Sequence, residues 1–233
     1  MIKKVEKKTL GTAYHPSLQS LFHLYKKNHP ESAMRFQPIR TINDDILHPG
    51  YGHHFHPHKE IEIFTFILEG ELTYTLKGKG GHCLRRGDMS YLTSGSGIEH
   101  SEFNWADVPL RMIQVWMKPR EKKLTSNIQY ATYQETRHVN QWFLIASAGG
   151  EGPIHIQQSI QIWMLKQESK KQTQFSLEQN EQAYLVQLEG ESTVNGETLL
   201  TCDGLEVYGE KIRVVTETNA LLMMIVMPAY ERL

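Results

Sequence analysis

Four side chains in the first half of the chain have the types and the spacing to hold a metal ion. In Gly52-His-His-Phe-His-Pro-His58, His56 and His58 stand two apart, and residues two apart in a β-strand point to the same side. His100 and Glu102, in Gly97-Ile-Glu-His-Ser-Glu102, stand in the same relation. Two such pairs on neighbouring strands supply three imidazoles and one carboxylate. That set suits Fe, Mn, Co, Ni, Cu or Zn and is poor for Mg or Ca. An octahedral ion with four protein ligands keeps two positions open, where a chelating substrate or dioxygen can bind, whereas a structural site is usually closed. One divalent transition metal ion is therefore expected, and the spacing alone does not choose among the metals.

Glu62 competes with Glu102 for the carboxylate place. It shares parity with His58 but lies four residues on, about 13 Å along an extended strand. Its expected role is to orient a histidine through the free ring nitrogen. His54 shares parity with His56, yet both His53 and His54 are expected to line the approach or face solvent. His15, His23, His29, His48, His82, His138 and His155 have no partner at ligand spacing and are read as structural. Phe55, Phe64, Phe66 and Tyr91 are the candidates for apolar walls around the site.

The elements that must position these residues read as strands. Glycine-marked turns separate short apolar runs and helical periodicity is scarce, which predicts an all-β chain. Ile61 to Leu68 is rich in β-branched and aromatic residues, Leu72 to Leu76 alternates, and Lys77-Gly-Lys-Gly-Gly81 is a hairpin turn. Leu18 to Tyr25 fits a short amphipathic helix or a strand. Leu68-Glu-Gly-Glu71 recurs as Leu188-Glu-Gly-Glu191, an offset of 188 − 68 = 120, each copy after an apolar run. Arg86-Gly-Asp88 has a looser echo in Cys202-Asp-Gly204. The repeat predicts two related barrels, residues 1–125 and 126–233, with the charged stretch Lys118 to Lys123 and the polar run to Asn140 as linker. The same offset sets Ser176, Glu178 and Gln182 opposite His56, His58 and Glu62, and His155 is the single histidine after Asn140. The second barrel is expected to carry no metal, with Trp142, Phe143 and Trp163 as buried anchors against the first.

Composition removes several classes of partner. The chain has 25 Lys+Arg against 26 Asp+Glu, so it lacks the sequence-wide basic field that holds a phosphate backbone, and nucleic acid is not expected. The longest apolar run, Ala220 to Met227, stops at Pro228. That is far short of the roughly 20 residues that span a bilayer, so no membrane segment is expected. The charged start Met1 to Leu10 has no apolar signal core, and Cys83 and Cys202 have no CxxC spacing. A reducing, cytoplasmic setting is expected.

The residues also resemble a known family. His56-Pro-His58, Glu62, the strand to Leu68-Glu-Gly70, Arg86-Gly-Asp88 and Thr93-Ser-Gly-Ser-Gly-Ile-Glu-His-Ser-Glu102 look like the pirin family of bicupins. Gly50 with five residues to His56, then His58 and Glu62, resembles the first cupin motif, with one residue too many before Gly70. Gly87 to His100 and Asn104 resembles the second, with threonine in place of proline and His100 displaced by two. The similarity extends to Asn43-Asp-Asp45, Arg111-Met-Ile-Gln-Val-Trp116, Val194-Asn-Gly-Glu197 and Asp203-Gly204. It implies two cupin-type β-barrels, iron as the first-choice metal, and ligands at His56, His58, His100 and Glu102. It also implies an oxidoreductase of the quercetin 2,3-dioxygenase kind, acting on a small aromatic chelator and dioxygen. Glu102, if it leaves the metal, is then the candidate catalytic base for a flavonol 3-hydroxyl. Eukaryotic members act as transcriptional coregulators, so the alternative is a metal-containing regulatory or redox-sensing module with a protein partner. A monomer is expected.

Overall fold

Strands dominate because the apolar runs are short, β-branched and cut by glycine turns. The computed structural model describes residues 1–24 and 30–229; Tyr25 and His29 lie outside that range. Leu18–Phe22 is a strand, which settles the open reading of that segment. The chain divides into two compact units, Gly11–Tyr133, and Met1–Leu10 together with Gln134–Leu233.

In the first unit a seven-stranded sheet runs in the order Asn127–Thr132, Asp88–Thr93, Glu62–Glu69, Leu110–Met117, Ile39–Leu47, Leu18–Phe22, Gly11–His15. A four-stranded sheet runs Gly52–His58, Ile98–Phe103, Glu71–Leu76, Gly80–Arg85. Ile63, Ile67, Leu72, Leu76, Leu84 and Met112 form the core between them. The second unit repeats this order except at the last strand of its large sheet, which follows its neighbour in the chain and pairs with it in parallel rather than antiparallel. Its large sheet is Ile2–Val5, Gly204–Tyr208, Glu181–Glu189, Ala220–Pro228, Gln161–Gln167, Trp142–Ser147, Ile154–His155. Its small sheet is Lys171–Ser176, Lys211–Thr216, Glu191–Val194, Glu197–Leu200.

The sequence repeat marks the same corner in both units. Gly70 (φ 74°) and Gly190 (φ 71°) are left-handed, and an added Cβ would fall 2.5 Å from the Pro109 carbonyl oxygen or 2.1 Å from that of Asn219. Only glycine fits either place. The pairing slips beside each corner, between Arg111 and Met112 in one unit and Gln187 and Glu189 in the other. The Gly87 N–H donates to the Ile67 carbonyl at 3.0 Å, and the Cys202 N–H to the Gln187 carbonyl at 2.8 Å. The Asp88 carboxylate accepts from the Arg85 N–H at 2.8 Å, and that of Asp203 from the Leu200 N–H at 3.1 Å. Arg86-Gly-Asp88 therefore corresponds to Thr201-Cys-Asp203, one residue earlier than the sequence echo suggested.

The expected boundary at 125/126 is displaced. Asn127–Thr132, placed in a linker by its polarity, pairs with Asp88–Thr93 and completes the first large sheet. Ile2–Val5 takes the equivalent edge of the second, against Gly204–Tyr208. Trp142 and Trp163 pack on their own unit's core beside Phe175, and Phe143 stacks on His138. No helix of the described residues is long and apolar enough to cross a membrane.

Candidate metal centre

The short sheet brings the two sequence pairs together. His100 is directly opposite His56, and Ile98 opposite His58. The ring centroids of His56, His58 and His100 form a near-equilateral triangle with sides of 4.8, 4.5 and 4.8 Å, and their ligand atoms lie within 4.8 Å of one another. His56 Nδ1 is bonded to the His54 carbonyl at 2.8 Å, so it carries the proton and leaves Nε2 free to ligate. His58 packs edge-on to Trp116 and His100 lies against Tyr74.

His58 Nε2 and both ring nitrogens of His100 are buried with no hydrogen-bond partner. Each such orphan costs about 1–3 kcal/mol in a folded protein. Burial, then the neighbouring His56, lowers the His58 imidazole to about 4 and that of His100 to about 3. Neutral imidazoles with lone pairs aimed at one point fit a transition metal, which would supply the missing partner.

Glu102 faces the same cavity and is tied to its wall by two hydrogen bonds in series. The Trp116 indole N–H donates to Gln114 Oε1 at 3.1 Å, which turns Gln114 Nε2 toward Glu102 Oε1, also at 3.1 Å. Burial raises the Glu102 carboxyl to about 7, Gln114 counters this in part, and the Asp45 charge adds to it.

The cavity of ≈ 310 Å³ is lined by the three histidines, Glu102 and His53, by Ser20, Asn43, Asp45 and Gln114, and by Leu18, Phe22, Ile63, Met112 and Trp116 among its apolar residues. Two expectations need correction here. Ile63 faces the cavity, so Glu62, Phe64 and Phe66, of opposite parity, lie on the other face of the sheet, as does Tyr91, opposite Phe64. Glu62 therefore orients no site histidine. Phe55 is 50% exposed and lines no wall. The extra histidines stand as expected, both exposed, with His53 lining the cavity and His54 packed against Phe103. The strand carries an extra residue between the pairs His100/His56 and Glu102/His53, and that bulge reverses the parity. Asn43, Asp45, Gln114 and Trp116 were not assigned roles from spacing. The resemblance covers them within Asn43-Asp-Asp45 and Arg111 to Trp116 but attaches no role to them.

The positions corresponding to the site in the second unit are filled differently. Phe175, Ile212 and Val214 belong to its apolar core, on the strands equivalent to those that carry the histidines.

Two family models match the chain, Pirin over residues 4–117 and the quercetinase C-terminal cupin domain over residues 144–227. The chain belongs to the pirin family. Among its relatives, a quercetin 2,3-dioxygenase of Escherichia coli is 26% identical over 181 residues, 76% of this chain and 77% of its own. A pirin-like protein of Caulobacter vibrioides is 26% identical over 212 residues, 89% and 90% of the two chains. The crystal structure of the bacterial pirin YhhW from Escherichia coli in complex with nickel(II) superposes with a TM-score of 0.90 at 24% identity, covering 99% of this pirin and 100% of that chain. The bicupin architecture of this pirin is thus the family's own.

Proposed function

We propose that this pirin is a metal-dependent dioxygenase that opens quercetin or a related flavonol, with His56, His58, His100 and Glu102 as the metal ligands. The observation that carries this reading is the convergence of partnerless imidazole nitrogens at one end of a small cavity with both polar and apolar walls. The name carried by the Escherichia coli relative supports the flavonol. A bound divalent metal, iron first among the candidates, would supply Lewis acidity toward a chelating hydroxy-ketone and the redox partner that dioxygen requires.

The chain's own residues do the rest. His56 is fixed as a ligand by its bond to the His54 carbonyl. Glu102, if it leaves the metal, is the candidate base for the 3-hydroxyl proton, and Gln114 is bonded to it. Leu18, Phe22, Ile63, Met112 and Trp116 give a flat aromatic apolar contact. The volume is at the low end for small-molecule sites, which favours a planar ligand over a bulky one.

The test is metal analysis followed by oxygen uptake with quercetin across the Fe, Mn, Co, Ni and Cu forms, with His58→Ala as control. One dioxygen per flavonol is expected, with flavones that lack the 3-hydroxyl poor substrates. Silence of every metallated form would shift the assignment to the regulatory module with a protein partner.

A further inference from the structure

Asp44 and Asp45 are adjacent, and the strand sends them to opposite faces. Asp44 is closed by Arg111, whose Nε and Nη2 donate to its two oxygens at 2.9 and 2.7 Å. Asp45 turns inward, is 5% exposed, and lines the cavity that holds the three imidazoles. Among the described residues no Lys or Arg pairs with it. Ser20 and Asn43 donate hydrogen bonds to its carboxyl, yet Oδ1 is buried with no partner.

The surroundings show what that atom lacks. Ser20, Asp45 and Met112 sit abreast on three neighbouring strands, as do Phe22, Asn43 and Gln114. Asn43 Oδ1 accepts from Thr41 at 2.7 Å, which leaves its amide nitrogen as the end that donates. Gln114 spends its own amide nitrogen on Glu102. Ser20, Asn43 and Gln114 are thus committed, and Asp45, in the cavity wall, keeps a buried oxygen without a partner. Native interiors rarely leave such an atom unfilled, and a ligand that supplied a donor would complete it.

We propose that Asp45 sets ligand specificity, its Oδ1 accepting a hydrogen bond from a ligand hydroxyl outside the metal-chelating pair. The cavity then selects polyhydroxylated aromatics over analogues that carry the chelating pair alone. A site built to bond a hydroxyl rejects the analogue without it, because its own polar atom is left bare. This inference rests on the flavonol reading for its ligand class and not on turnover.

The test is an anaerobic titration of the metal-loaded protein with quercetin and with 3-hydroxyflavone, which share the 3-hydroxy-4-keto pair. Chelation is followed by the shift of the flavonol absorption band. Wild type is expected to bind quercetin at least ~10-fold tighter, the range of a hydrogen bond to a charged group. In Asp45→Ala that ratio should fall to within ~3-fold through loss of quercetin affinity, with bound metal unchanged. Asp45→Asn keeps an acceptor oxygen and the side-chain shape, so it should hold an intermediate ratio. It carries the test if the alanine variant does not fold. Equal wild-type affinities, no binding of either flavonol, or a ratio unmoved in both variants would overturn the proposal and leave Oδ1 to a water. Selective binding without oxygen uptake would sink the dioxygenase reading alone, and oxygen uptake with an unmoved ratio would sink only this one.

Discussion

His58 Nε2 and both ring nitrogens of His100 are buried on folding and gain no hydrogen bond among the described residues, so an ion is their natural partner. Replacing His100 by alanine should remove most of the bound metal, while His53→Ala, at the mouth, should keep it; metal per chain measured after gel filtration decides. Asp45 gives a pH prediction for the metal-free protein. Its carboxyl is raised from 3.8 to about 7, chiefly by burial. The native state therefore holds a proton that the unfolded chain has already released, and stability is lost as pH climbs from about 4 through 7. The shift sets a ceiling on the order of 4 kcal/mol. Asp45→Asn should accordingly melt higher than wild type at pH 8, by on the order of 5 °C, with the gap closing toward pH 4; equal melting curves at both pH values would contradict this. A residue kept only for packing would lose stability when changed. The histidines were readable because metal ligands on strands repeat with period two. Asp45, Asn43 and Gln114 carry no such signal, because an inward polar residue without a partner at ligand spacing does not stand out, least of all in Ile39–Leu47, where polar residues are frequent.

The strand Gly52–His58 departs from that period. Between its pairings with His100 and Glu102 it advances three residues while its neighbour advances two, and the extra residue brings His53 rather than His54 to the cavity. Sequence reading assumed regular alternation and so could not foresee this exchange. Alternation is regular in Glu62–Glu69, but Glu62, Phe64 and Phe66, expected together at the site, share the face opposite Ile63, which lines the cavity. Gly52 lets the bulged strand approach its partner: a Cβ there would lie 2.2 Å from the Glu102 carbonyl oxygen and 2.6 Å from the Phe103 ring. Gly52→Ala should cost about 1–3 kcal/mol, the usual penalty of overpacking. It should also lower metal occupancy, because the backbone that must yield belongs to Glu102. Thermal unfolding and metal content, measured together, check both halves; loss of stability with full occupancy would show that the bulge does not position the site.

Over the whole chain, the two-barrel plan was legible because a Leu-Glu-Gly-Glu corner needs its glycine in both copies. The boundaries were not, because both terminal strands of the large sheets sit at edges. Edge strands carry polar and charged residues that blunt unwanted pairing, so Asn127–Thr132 and the lysines of Ile2–Val5 look like linker and tail. Deleting residues 1–10 should leave metal binding in Gly11–Tyr133 intact. It should speed amide exchange across Gly204–Tyr208, which loses its Ile2–Val5 partner; unchanged exchange there would rule out the pairing. Lys3 also approaches the buried carboxylate of Glu206 at 3.6 Å, so the second unit would lose a countercharge with its edge. The order of synthesis makes this pairing unusual. Ile2 leaves the ribosome before its partner Val207, which follows only after about 10–40 s at ordinary translation rates. In that interval Gly11–Tyr133, an unbroken stretch of chain, can complete its own barrel. Until then Ile2–Val5 has no partner from its own sheet, and its lysines are of the kind that discourages another edge from pairing with it.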